Sequence, residues 1–125
     1  MPIDSDFMQN VNAKIEGWLM DDAAQLTFGM LDYQDSTECA GAALEIGVWR
    51  GKYSSFLHQA TTEPLFGLDI FKFGNTEAEV YETFRATFGD GHRLTLRTLN
   101  STHLTPAGSS EVVGGNNMRW ISIGR

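Results

Sequence analysis

Two short stretches limit the possible folds of this chain more than any others: residues 42–51, AALEIGVWRG, and residues 65–71, LFGLDIF. Each is a near-continuous apolar run of strand length, the pattern of a strand covered on both faces. The first run ends in a turn punctuated by Gly47 and Gly51, and residues 52–60 then place Phe56, Leu57 and Ala60 at helical spacing. Two buried strands joined through a helix do not form a hairpin. They form a right-handed crossover with the strands parallel. The expected strands cover 43–48 and 65–70.

The rest of the chain extends this unit. Phe7, Val11, Ile15, Trp18 and Leu19 recur at helical spacing, which predicts an amphipathic helix capped by Ser5. On this reading Trp18 packs inward, as does Trp120. A second helix is expected from Asp21 or Asp22 through Leu31, its acidic start suiting the positive end of the helix dipole. Residues 34–41 read as a linker. Thr76-Glu77-Ala78-Glu79 matches a capping box ahead of a helix that buries Val80, Phe84 and Phe88. Residues 92–99 alternate as a third strand. Thr105-Pro106 looks like a cap followed by a first-turn proline, although Gly108, Ser109 and Ser110 disfavour the helix. Met118–Ile123, MRWISI, reads as a fourth strand. Strands alternating with helices define an α/β chain with a parallel sheet of about four strands. The expected organisation is one domain, with leading helices and linker over 1–41 and a βαβ core over 42–125.

Composition narrows the function. The 125 residues are enough for one modest core, and 42% apolar with 20% charged content is that of a folded protein rather than a disordered one. A formal net charge of -7 repels nucleic acid and anionic membranes, and Arg93, Arg97, Arg119 and Arg125 form no cluster along the sequence. No apolar run reaches the ~20 residues of a membrane helix. The start, MPIDSDF, lacks the pattern of a signal peptide. The lone cysteine, Cys39, read as a semi-buried small residue, fits a reducing compartment. A cytoplasmic protein with neither nucleic-acid nor membrane partners is therefore expected.

The chemistry concentrates at the first turn. Residues 45–51 have the form E-x-G-x-x-x-G. Gly47 permits a sharp turn and close backbone approach to a ligand, and Gly51 opens the helix without side-chain crowding. Glu45 stands near the strand end where open parallel sheets bind ligands, and Asp69, at the end of the next strand, suits two ribose hydroxyls. Trp49 stands within the turn and either flanks a ligand or packs. Lys52 and Tyr53 follow just inside the helix. His58, His92 and His103 show no metal-ligand spacing, so no metal site is expected, and each reads as a surface or locally hydrogen-bonded histidine.

Taken together, LEIGVWRGKYSSFL, GLDIF, a strand leading to LNSTHLTP, and RWISI resemble the first half of a class I S-adenosylmethionine-dependent methyltransferase. They are closest to the small-molecule and sugar O-methyltransferases. The resemblance implies a Rossmann-like sheet in the order 3-2-1-4 and S-adenosylmethionine as cofactor. It puts Glu45 near the cofactor's amino-acid end, Gly47, Trp49 and Gly51 in the turn beneath it, and Asp69 on the ribose. Ile70 or Phe71 would flank the adenine, with Asn100 and Ser101 touching it from the third strand's exit.

The chain also departs from that family. The family's aspartate after the fourth strand corresponds to Gly124, so no catalytic residue is assigned. A full sheet of the family has the order 3-2-1-4-5-7-6, of which the chain supplies four strands. The fourth strand is then an edge, which predicts a homo-oligomer formed through Met118–Ile123. Methyl transfer to a small-molecule acceptor stands against a second reading, a non-catalytic remnant that self-associates. A dinucleotide-binding oxidoreductase is disfavoured, because G-x-G-x-x-G is absent.

Overall fold

The computed structural model describes residues 4–123. Its centre is a four-stranded, all-parallel sheet built from β1 (Ala42–Ile46), β2 (Leu65–Asp69), β3 (Leu94–Thr98) and β4 (Met118–Ile123). The spatial order is β3-β2-β1-β4, so the chain winds outward from β1 and then crosses back to lie on its other side. This is the Rossmann-like arrangement expected from the alternation of strands and helices, in the expected order.

Five helices surround the sheet: α1 (Ser5–Asn10), α2 (Asp21–Ser36), α3 (Lys52–Ala60), α4 (Glu77–Phe88) and α5 (Pro106–Val112). One face of the sheet buries Ala43, Leu65, Leu94 and Leu96 against Leu31 of α2, Leu57 of α3, and Val80 and Phe84 of α4. On the other face, Ala42, Leu44, Phe66 and Leu68 pack against Val112 and Val113 at the end of α5. A single helix does not cover that second face to the edge. Ile121 and Ile123, in register with Leu44 and Ile46 of β1, are 58% and 77% exposed.

Gly67 explains how the centre closes. A Cβ there would lie 2.7 Å from Val48 Cγ2 and 2.8 Å from Leu96 Cδ2, so the missing side chain is the space those two residues fill.

The N-terminal expectation needs correction. The single helix over 7–19 is replaced by α1, a short 3-10 turn at Asn12–Lys14, and an extended segment up to α2. Asp4, rather than Ser5, caps α1, its Oδ1 accepting from the Phe7 N–H at 3.1 Å. The helix stops because polar groups hold the backbone elsewhere. Lys52 Nζ donates to the carbonyls of Asn12 (2.7 Å) and Ile15 (3.2 Å), and buried Asn12 donates back to the Lys52 carbonyl at 2.8 Å. Gly17 then takes φ +147, outside helical geometry. Trp18, expected to pack inward, is 90% exposed.

Smaller differences follow physical causes. α2 runs on to Ser36, and Leu26 and Met30 lie exposed on it while Ala24, Thr27 and Leu31 face inward. α5 forms despite its glycine and serines, because Thr105 caps the Gly108 N–H at 3.0 Å and Pro106 occupies the first turn. Cys39 is exposed rather than semi-buried. His58 is buried, stacked on Phe88 at 3.9 Å, and its Nε2 accepts the Arg93 N–H.

Candidate functional site

The C-terminal ends of β1, β2 and β3 open into one cleft. Gly47 leaves β1 at φ +90, and its N–H donates to the Leu68 carbonyl at 2.7 Å, fixing the turn to β2. Gly51 sits at φ +88 as the N-cap of α3, where a Cβ would crowd Val80 and Phe84 at 3.2 and 3.3 Å. Between them Trp49 adopts φ +51, a conformation that costs a bulky residue about 1–3 kcal/mol.

Asp69 holds that strained turn. Its Oδ2 accepts the Trp49 N–H and its Oδ1 the Phe71 N–H, each at 2.8 Å, and Phe71 is itself at φ +52. Two hydrogen bonds to a carboxylate are of the strength needed to offset two strained residues. Each oxygen retains a further lone pair for a ligand hydroxyl. The aspartate is thus a staple between the exits of β1 and β2, a role its position in sequence did not disclose.

Beneath the turn Glu45 is buried at 4% exposure and accepts a short hydrogen bond from Ser54 of α3. Burial, reinforced by the nearby Asp69 charge and opposed by the Ser54 bond, pushes the Glu45 carboxyl up to about 8. A carboxyl with this environment is protonated at neutral pH unless a cation comes to it.

The cleft encloses about 1040 Å³, and of the nine residues singled out above for cofactor contact all line it except Gly51 and Phe71. Glu45, Gly47 and Trp49 come from the first strand and its turn, Asp69 and Ile70 from the second, and Asn100 and Ser101 from the third. Gly51 lies behind them at the α3 cap, buried against α4, and acts on the site through the turn. Of the two residues offered for the adenine, Ile70 lines the cleft, whereas Phe71 packs into the core under α2, α3 and α4. Asn100 Oδ1 caps the turn at Ser101–His103 by accepting from Thr102 N and Oγ1 at 3.0 and 2.7 Å. Gly124 lies outside the described residues.

Four contributors went unread in the sequence. Trp18 and Met20 reach the cleft because the first helix breaks, and Trp18 stacks on Trp49 with ring centroids 6.0 Å apart and planes 14° apart. Phe73 is held there by its carbonyl, which accepts the Trp49 Nε1–H at 2.9 Å. Buried Asn75 completes the brace by donating to the Trp49 carbonyl at 2.8 Å and accepting from the Phe73 N–H at 3.3 Å. The signal for Phe73 and Asn75 was the FKFGN loop directly after the second strand, where an open sheet binds its ligand.

A neighbouring cavity of about 280 Å³, lined by Lys14, Arg50, Glu79 and Thr83 among others, is too small for a nucleoside. Among the described residues no group of three or more His, Cys, Asp or Glu side chains is placed to hold a metal, and no helix is long and apolar enough to cross a membrane. Comparison with known proteins finds no family model and no curated protein that matches the chain. The class defined by fold and site is therefore a Rossmann-like α/β domain with a ligand-sized cleft at the carboxyl ends of its strands.

Proposed function

We propose that the cleft binds S-adenosylmethionine and that the protein is of the methyltransferase kind, acting on a small-molecule acceptor. The observation that carries this reading is the convergence of Glu45, the Gly47 turn, Asp69 and Asn100 on one cavity from three successive strand ends. The donor set suits the cofactor. Asp69 keeps lone pairs for ribose hydroxyls, Asn100 and Ile70 stand where a base edge and face would lie, and Glu45 offers a carboxylate to a cationic amino-acid end. Bound here, the cofactor would supply an electrophilic methyl group. The chain's own part is to orient it and to shield it from water by the rim of Trp18, Trp49 and Phe73.

Calorimetric titration with S-adenosylmethionine, S-adenosylhomocysteine and NAD tests the reading. Heat with the first two and none with NAD is expected. A chain silent toward both sulfur nucleosides overturns it. A second reading, a self-associating module without chemistry, is favoured by one observation: the β4 edge with exposed Ile121 and Ile123. For both readings we propose the cytoplasm, in keeping with the single cysteine.

A further inference from the structure

The cleft has two unlike halves. Its inner half is the polar floor of Glu45 and Asp69, with Asn100 and Ser101 exposed at the exit of the third strand. Its outer half is apolar and contains three of the chain's exposed large hydrophobic side chains, Trp18 at 90%, Met20 at 74% and Phe73 at 72%. A pocket for one drug-sized ligand encloses about 300–1,000 Å³. At about 1040 Å³ this cleft has room beside a nucleoside on its floor.

The rim is built rather than incidental. Trp49 is fixed through Nε1 to Phe73 and through its carbonyl to Asn75. The segment bearing Trp18 and Met20 is tied to α3 by Lys52 and Asn12. The ring of Trp49 already carries Trp18, with the Arg50 guanidinium 5.2 Å from its centroid. The aromatic surface still open to a ligand is therefore that of Trp18 and Phe73. The cations of the cleft are balanced by carboxylates: Arg50 pairs with Glu16 at 3.3 Å, the Lys52 ammonium is turned to two carbonyls, and Asp69 stands on the same cleft. An anionic guest would find no net counter-charge here and would face Glu16 and Asp69.

We propose that the outer half of the cleft, walled by Trp18, Met20 and Phe73, is the seat of an uncharged planar aromatic molecule. Stacking on exposed indole and phenyl faces selects for planarity, and the absence of a net positive charge selects against carboxylates and phosphates. That this guest is the methyl acceptor rests on the cofactor reading of the inner half; the seat itself rests on the rim alone.

The test uses three probes of one carbon skeleton: 2-naphthol, its anionic analogue 2-naphthoate, and saturated decahydro-2-naphthol. Binding is followed by two-dimensional NMR of the three indole N–H groups and by calorimetry. Saturable binding of 2-naphthol is expected, moving the Trp18 indole resonance and leaving that of Trp120, which does not line the cleft and donates to the Tyr53 hydroxyl. At least tenfold weaker binding is expected for 2-naphthoate, for the saturated analogue, and for 2-naphthol to the double variant Trp18→Ala/Phe73→Ala. Both side chains are exposed enough for that variant to fold, which its unchanged far-UV spectrum would verify. Undiminished binding of 2-naphthol to the double variant overturns the seat. Equal affinity for the anion or for the saturated ring overturns the chemical class assigned to it. S-Adenosylhomocysteine titrated into the same variant separates the two proposals. If that nucleoside fails to bind the parent chain while 2-naphthol binds through Trp18, the cofactor reading falls and the aromatic seat stands; the reverse result removes the seat alone.

Discussion

Glu45 is the residue whose surroundings have the most measurable effect. Its ordinary value is 4.5 and burial holds it at about 8 in the folded chain. Between those values the unfolded chain has lost a proton that the folded chain keeps, so stability falls as pH rises through the window. His58 acts in the opposite sense. Burial and the Arg93 charge lower it from 6.5 to about 4, so stability falls as pH drops from 6.5 toward 4. Urea midpoints of the parent and of Glu45→Gln, taken from pH 5 to pH 8, are expected to diverge: the parent loses stability relative to the variant as pH rises. Parallel profiles would count against a buried, protonated Glu45. Gly67→Ala is expected to cost about 1–3 kcal/mol by the same denaturation, because the new methyl meets Val48 and Leu96 under 3 Å away in a filled core. An unchanged midpoint would mean that those side chains yield freely.

The elements show where sequence reasoning reaches and where it stops. All four strands were legible: β1 and β2 are buried on both faces and leave near-unbroken apolar runs, while β3 and β4 at the sheet edges show as alternation. β1 and β2 ended one or two residues earlier than expected, since Val48 and Ile70 belong to the turns. The site residues on strand ends were legible for the same reason: once the strands are placed, so are Glu45, Asp69 and Asn100. The N-terminal break was not, because Phe7, Val11, Ile15 and Leu19 keep a helical period through a segment whose course is set by Lys52, forty positions or so away in the chain. A long-range side-chain bond leaves no local signature, and Trp18 was misplaced with it. At the other end, β4 combines an unpaired edge with two exposed isoleucines. Sedimentation velocity is expected to show association of the parent chain and monomers of Ile121→Lys/Ile123→Lys. A parent that sediments as a monomer at high concentration would remove the edge as an interface.

For the molecule as a whole, the proposed ligand binding would be coupled to folding through the rim of strand ends. A cofactor held by three separate exits stabilises the entire sheet, and at a hundredfold excess over its Kd the gain is about 2.7 kcal/mol. S-Adenosylhomocysteine is accordingly expected to raise the thermal midpoint by several degrees, and NAD to leave it in place. A scan indifferent to both would favour the module without chemistry. Asp69 bears on that choice in another way. Its two oxygens already restrain two backbones in left-handed geometry before any guest arrives. A descendant that had abandoned its ligand altogether would still gain stability at this turn from the aspartate. Its persistence in a sequence therefore records the architecture of the turn first and the needs of a ligand second.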